Sequence, residues 1–452
     1  MIPPSARSGA CSPACRLRTL LRAGIRAAPR SSAAFFASLL HAPSPETPIA
    51  RGCAIGFPPR RAFHSSPVRL SEAPPASSRI SYRVAVSSSG KGRRFHPLKN
   101  AYNFDPAVSE VIGVSKDKNP STRRRNRPDS GEDAFFVSRI GSQNSHRSGA
   151  PDAEAVAFAV ADGVGGWAES RVDPADFSHG LCGYMAQSAL AWDAAADKLR
   201  PKQLLQEGYD HIVADPTVKA GGSTASVGIA LPDGSVELAN LGDSGSVLLR
   251  LAAVHHYSVP QTHGFNTPYQ LSIIPPRMRA QASVFGGAFL EDFPRDAAVT
   301  NVQMQHGDVL ILATDGVFDN LNNQDILKVV TSRMILTGAW TATPDYGVGV
   351  SDALAGLTIA GGLASAFPSP TKSNAKEQSN LESTFTLQSL LAASIAGEAK
   401  AASADFRRDG PFAKEAQRYY PGDYYRGGKV DDICALVLVA VNESLAAESR
   451  TE

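Results

Sequence analysis

AVAFAVADGVGGW, residues 155–167, is the stretch whose reading decides the fold. An unbroken apolar run from Ala155 to Ala161 stops at Asp162, and Gly163, Gly165 and Gly166 follow at once. A run of this length closed by turn residues reads as a buried strand opening into a tight loop. A carboxylate at the end of a buried strand is costly unless a cation pairs with it, and a metal ion is the simplest partner. The glycines, lacking Cβ, let the loop turn sharply and bring its carbonyls close to a ligand. An ordinary turn with a solvated Asp is the other reading of this stretch taken alone.

The same device recurs along the chain. Glu132 and Asp133 stand directly before the apolar residues 134–140; residues 309–313 run into Thr314-Asp315-Gly316; Asp431 and Asp432 head the apolar residues 433–441. Adjacent carboxylates repel, so something positive must neutralise them. All-oxygen donors suit Mg²⁺ or Mn²⁺ and argue against zinc, for which His and Cys are expected. Two such ions about 4 Å apart serve in-line attack on phosphorus. Any single one of these residues reads as a turn cap; four in one strand-end context point to a metal centre.

Around these strand ends the pattern alternates between strands and helices. Tyr82, Val84 and Val86 alternate in a first strand, and the polar residues 141–154 read as a hairpin connection. Residues 174–200 and 203–213 carry helical periodicity. Strand-like segments follow at 223–231, 235–240 and 245–254, too closely spaced for intervening helices, so the local sheet is antiparallel. Residues 299–304 and 309–313 repeat the hairpin pattern across His306-Gly307-Asp308. Residues 341–380 lose periodicity and read as a flexible insertion, with 353–363 passing for a short apolar helix; a helix returns over 381–402.

The net charge of +2 over 452 residues conceals an asymmetry. Residues 1–70 hold ten Arg, no Lys and one acidic residue, Glu46, hence +9. With its Ser and Ala content and short apolar patches, this segment reads as a mitochondrial transit peptide. A basic arm for nucleic acid is the alternative, but such arms usually mix Lys with Arg, and no nucleic-acid partner is expected. Cys11, Cys15 and Cys53 fall in this segment, leaving Cys182 and Cys434, each in apolar surroundings, as buried small hydrophobes. No apolar run reaches roughly 18 residues, so no transmembrane span is expected.

The ordered strings GEDAFF, ADGVGGW, GGSTAS, ANLGDSGS, ATDGVFDN and GGKVDDI resemble the metal-dependent protein phosphatase 2C family, and FNTPYQLS at 265–272 is similar to its mitochondrial branch. The resemblance spans residues 80–442 apart from the insertion, with 443–452 as a C-terminal tail. It implies an α+β fold, an αββα sandwich of two antiparallel sheets flanked by helices. It further implies a mitochondrial serine/threonine phosphatase, in which water activated by two Mg²⁺ or Mn²⁺ ions attacks phosphoserine or phosphothreonine. Residue by residue, Asp162 bridges both ions and Gly163 binds through its carbonyl or a water. Asp315 and Asp431 hold one ion; Glu132 sits by the other, with Asp133 supporting it; Asp243 matches the position of a third, weaker ion. Asp432 supports the site from behind. A matrix phosphoprotein, such as a ubiquinone-biosynthesis enzyme, is the implied partner.

Two departures from the family pattern stand out. Val164 replaces the His that often follows the bridging Asp by two residues, and general-acid help is typically worth about 10²–10⁴-fold, so a slower enzyme is expected. Pro128 replaces the Arg that binds substrate phosphate in many members; Arg127 is one residue away and is the substitute candidate, with a solvated basic loop as the alternative. His179 and His263 read as packed or solvated rather than catalytic. A pseudophosphatase or regulatory module that binds phosphoproteins without turnover, and a hydrolase of phosphorylated small molecules, are the competing functions. No GxxxxGK[ST] string is present, which disfavours nucleotide-triphosphate chemistry.

Overall fold

The computed structural model describes residues 79–448 apart from 116, 118, 142–154, 285–288, 346, 364–384 and 423. The segment read as a presequence, most of the 141–154 connection and the second half of the 341–380 insertion lie outside the described residues.

In chain order the strands of the core are β1 (Ile80–Ser89), β2 (Ala101–Phe104), β3 (Val111–Ile112), β4 (Asp133–Arg139), β5 (Val156–Asp162) and β6 (Ala225–Ala230). They continue as β7 (Ser235–Leu241), β8 (Gly245–Arg250), β9 (Ala253–Tyr257), β10 (Ala298–Gln303), β11 (Val309–Ala313) and β12 (Ile433–Asn442). They form two six-stranded sheets, ordered β9-β8-β11-β12-β1-β2 and β10-β7-β6-β5-β4-β3. Every pairing within them is antiparallel.

The period of two along each strand builds the layers. Val156, Phe158 and Val160 of β5 and Phe135 and Val137 of β4 meet Leu310 and Leu312 of β11 and Leu436 and Leu438 of β12 in one core between the sheets. The alternate residues of β5, Ala157, Ala159 and Ala161, with Ala155 just before the strand, face the opposite way into a second core. Their small side chains admit α1 (Pro174–Ala191), which brings Phe177, Leu181 and Met185, and α2 (Pro201–Ala214), which brings Leu204, Leu205 and Ile212. On the outer face of the other sheet, α5 (Leu387–Ser403) packs against β1 and β12. Helix–sheet–sheet–helix is therefore the layering, the α+β sandwich implied by the family strings. Cys182 and Cys434 are free and buried, one in each core.

Several local expectations are corrected. Residues 299–304 and 309–313 are not a hairpin: β10 pairs with β7 and β11 with β8 and β12, so the His306-Gly307-Asp308 turn carries the chain from one sheet to the other. Arg250 secures that crossing by donating to Asp308 and to the Gln303 carbonyl at 2.8 Å each. Gly242-Asp243-Ser244 makes a second such crossing, between β7 and β8. The predicted 245–254 strand is two strands joined at Leu251-Ala252, a pair carrying no turn signal. The long helix read over 174–200 stops at Ala191, and Pro201 opens the next one. The described part of the insertion, 341–363 apart from 346, carries regular structure: Trp340–Ala342 pairs with Val348–Val350, and Leu354–Leu357 is a short helix with buried leucines, within the 353–363 stretch read as a short apolar helix. β-branched Val348 and Val350 and buried Trp340, whose Nε1 donates to the Gly307 carbonyl at 3.1 Å, account for that order.

Leu251 and Ala252 have φ of 46° and 61°, the backbone of a two-residue hairpin turn that Asn-Gly adopts without strain. The left-handed region costs an ordinary residue roughly 1–2 kcal/mol, and Leu251 is exposed, so no packing is lost by replacing it. Leu251→Asn with Ala252→Gly is expected to raise the unfolding free energy by about 1 kcal/mol. Urea denaturation checks this; an unchanged or lower midpoint contradicts it.

Candidate functional site

The strand periods that build the core also aim the carboxylates. Asp162 continues the Val156, Phe158, Val160 series and Asp133 precedes the Phe135, Val137 series, so both point between the sheets. The two residues are opposite one another in the β4–β5 register. On the other sheet, Thr314 extends the Leu310, Leu312 series and Asp432 precedes the Cys434, Leu436 series. Ala313 is paired with both Ala435 and Gly245, which puts Asp315, Asp431, Asp432 and the Asp243 crossing at the same end of the sandwich.

Hydrogen bonds lock that end across the sheets. Thr314 Oγ1 donates to Asp133 Oδ2 at 2.8 Å and accepts from the Cys434 amide at 3.1 Å. Asp432 accepts from the Glu132 amide at 2.8 Å and from the Lys91 amide. Its approach demands glycine twice: at Gly131, with φ of 74°, a Cβ would overlap the Asp432 carboxylate, and at Gly316 it would overlap the Asp432 carbonyl. The GGSTAS string clamps the backbone of Asp162: Ser223 Oγ and the Thr224 amide donate to its carbonyl at 2.8 and 2.9 Å, and its own amide donates to Thr224 Oγ1 at 3.2 Å. Gly163 lies tight against Glu132, its amide donating to the Glu132 carbonyl at 3.1 Å.

The electrostatics follow from this crowding. Burial, and then the charges of Asp315, Asp133, Asp431 and Asp243, push the Asp162 carboxyl well above the usual range. Burial and then Asp432 do the same to Asp133. Glu132 is raised to about 7 by burial and then by Asp432 and Asp431; Asp243 is raised to about 7 by burial and then by Asp315. Asp133 Oδ1 and Asp243 Oδ1 are buried with no hydrogen-bond partner. Among the described residues no group of three His, Cys, Asp or Glu side chains is arranged to hold a metal ion as it stands. Lys429 is the most deeply placed cation at the cluster, with Nζ 2.6 Å from Asp315, 2.6 Å from Asp319 and 3.1 Å from Asp431, and the exposed Lys91 is 3.4 Å from Asp431. Oxygen-only donors, two orphaned carboxylate oxygens and a cluster already gathered around a cation fit a hard divalent ion.

Each residue singled out in the sequence has a definite place. Glu132, Asp133, Asp162, Gly163, Asp243, Asp315 and Asp431 converge. Arg127 is tied to α1 instead of standing free: it donates to Asp173 at 3.2 Å and also pairs with Asp176. Asp173 is nevertheless close enough to Glu132 to help raise its carboxyl, so Arg127 borders the cluster. His179 is hydrogen-bonded to the backbone at Gly131, and burial holds it at about 3, neutral. His263 pairs with Asp292 at 2.9 Å and stacks on Tyr269. Val164 packs in a small cluster with Trp167 and Ile274. Sequence reasoning missed Asp319 and Lys429. Asp319 lies four residues after Asp315, one helical turn on, and Lys429 two before Asp431, so both were in view in ATDGVFDN and GGKVDDI.

The "Protein phosphatase 2C" family profile matches residues 138–339. The chain is 40% identical over 249 residues to protein phosphatase 2C homolog 7, mitochondrial, of Saccharomyces cerevisiae, covering 54% of this chain and 68% of that protein. It is 34% identical over 255 residues to the PTC7 homolog fig of Drosophila grimshawi, covering 54% and 75%. Against the 5-azacytidine resistance protein azr1 of Schizosaccharomyces pombe, identity is 31% over 314 residues, covering 69% and 83%. With the sandwich and the acidic end already in place, these similarities settle the assignment: the chain belongs to the protein phosphatase 2C family of metal-dependent protein serine/threonine phosphatases.

Proposed function

We propose that this chain is a mitochondrial matrix phosphatase that hydrolyses phosphoserine and phosphothreonine in proteins with two divalent ions held at the acidic end of the sandwich. The observation that carries this reading is the convergence of Asp162, Asp315 and Asp431 from two sheets, with the Asp162 carboxyl raised first by burial and then by its acidic neighbours. Asp162, clamped through both its amide and its carbonyl, would be the ligand common to the ions, with the Gly163 carbonyl beside it. Asp315 and Asp431 would hold one ion, Glu132 and Asp133 would serve the other, and Asp243 on the sheet crossing would serve a third, weaker one. When bound, Mg²⁺ or Mn²⁺ supplies the positive charge that polarises a phosphoryl group and acidifies coordinated water.

The chain's own residues do the rest. Thr314 fixes the Asp133 carboxylate and Asp432 holds the Glu132 backbone, so these donors are oriented before substrate arrives. Arg127, at the rim beside Asp173, offers the phosphate a planar pair of N–H donors once it exchanges an aspartate for the substrate. Val164 provides no proton, so departure of the alkoxide lacks the acid its position supplies elsewhere in the family. The Arg-rich, Lys-free residues 1–70 and the mitochondrial name of the yeast relative support the location. A phosphoprotein of that compartment is the substrate class.

Phosphate release from a phosphothreonine peptide by the full chain is expected to require Mn²⁺ or Mg²⁺. It is expected to fall on the order of 10²–10³-fold in Asp162→Asn. Turnover unaffected by that substitution contradicts the assignment of Asp162; a folded, metal-binding chain with no turnover favours phosphoprotein binding without catalysis.

The raised carboxyls also make a stability prediction. Between about pH 4 and 7 the folded chain holds protons on Glu132 and Asp243 that the unfolded chain has lost, so metal-free stability falls as pH rises through that window. Excess Mn²⁺ opposes this slope, because the ion binds the deprotonated carboxylates. Thermal midpoints in EDTA are expected to drop from pH 5 to pH 8 and to be restored by Mn²⁺; a metal-free midpoint that rises over this range contradicts the account.

A further inference from the structure

Lys429 is the one lysine drawn into the cluster among the described residues: its side chain is 16% exposed, whereas Lys91, 3.4 Å from Asp431, is 60% exposed. Its ammonium contacts three carboxylates from three places in the fold. Asp315 and Asp319 come from successive turns of the short helix α3 (Asp315–Phe318) and its C-cap, and Asp431 from the approach to β12. The backbone around Lys429 is fixed. Asn320 Nδ2 donates to the Lys429 carbonyl and the Lys429 amide to Asn320 Oδ1, both at 2.9 Å. Asn320 also donates to the Gly316 carbonyl at 2.9 Å, so Lys429 is pinned to α3 at its main chain while four side-chain torsions stay rotatable. In this same position the ammonium also lies over the face of the Phe412 ring, 5.0 Å from its centroid.

We infer that Lys429 is a built-in counter-ion of the metal centre: its ammonium occupies the ground among Asp315, Asp319 and Asp431 that a divalent ion must take. Metal entry then requires the ammonium to leave Asp315 and Asp431. The inference rests on the reading of Asp315 and Asp431 as ligands. It follows from charge: a divalent ion and an ammonium cannot share the same two carboxylates at contact distance without strong repulsion. The lysine therefore does two things. It neutralises the aspartates in the metal-free chain, holding α3 to the β12 approach, and it weakens metal binding by having to be displaced. Asp319, assigned no role by its sequence context alone, anchors the ammonium at 2.6 Å.

The test is calorimetric titration of Mn²⁺ into the full chain, wild type against Lys429→Met and Lys429→Arg, with thermal unfolding alongside. Lys429→Met is expected to bind Mn²⁺ at least about tenfold more tightly, because nothing need be displaced. It is also expected to melt lower than wild type in EDTA and to recover with excess Mn²⁺. Lys429→Arg, which keeps the charge, is expected to bind no more tightly than wild type. Should the methionine variant not fold without metal, Lys429→Gln carries the same titration with the same outcomes. Wild type that binds Mn²⁺ together with a neutral variant that binds equally or more weakly overturns the counter-ion role while leaving the metal centre intact. Wild type that binds no Mn²⁺ overturns the metal centre itself, and the counter-ion role with it.

Discussion

Like charges crowded at the end of an apolar sandwich are the constraint on which the rest of this structure turns. Burying a leucine or phenylalanine contributes roughly 1.5–3 kcal/mol, and leaving one desolvated carboxylate unpaired costs at least as much. Asp133 and Asp162 lie at the inner mouth of the inter-sheet core, opposite Asp315, Asp431 and Asp432 from the other sheet. No packing among Phe135, Phe158, Leu312 and Leu436 offsets that repulsion by itself. Cations must, and the fold accordingly keeps Lys429 at the centre of three aspartates and presents orphaned oxygens on Asp133 and Asp243.

That the site sits where two sheets meet explains why so many separate segments are needed to make it. Each sheet contributes strand ends of fixed parity, and the crossings at Gly242-Asp243-Ser244 and His306-Gly307-Asp308 bind the sheets to one another. Function lies at the place where stability is poorest. The surrounding hydrogen bonds from Thr314, Ser223, Thr224 and Asn320, none of which holds charge, keep the donors apart at spacings they would not otherwise maintain. Gly131 and Gly316 serve the same end by letting Asp432 approach where any side chain would block it.

Much of this was legible in the residues. The alternation in AVAFAVAD already separates an alanine face for a helix from a Val-Phe-Val face for a core, and it carries Asp162 onto the core face. The same parity holds for Asp133 and Asp432, and the strand-end context they share with Asp162 and Asp315 is what grouped them in the sequence. What could not be read depends on contacts between distant segments. Nothing local marks Lys429 as the partner of Asp315 across more than a hundred residues, or Arg127 as bound to Asp173 and Asp176. The turn at Leu251-Ala252 was invisible because the pairing of β8 with β9 imposes a backbone that its residues do not favour. The sheet crossing at Gly307 looked like a hairpin because both use glycine with positive φ.

The central claim is that these carboxylates exist to hold two divalent ions, and anomalous diffraction from crystals of the chain grown with Mn²⁺ tests it most directly. Two anomalous peaks are expected, with Asp162 and Gly163 between them, Asp315 and Asp431 on one, Glu132 and Asp133 at the other, and Lys429 turned out of the cluster. Full Mn²⁺ exposure with no peak touching Asp162, and Lys429 still seated among Asp315, Asp319 and Asp431, would contradict the account.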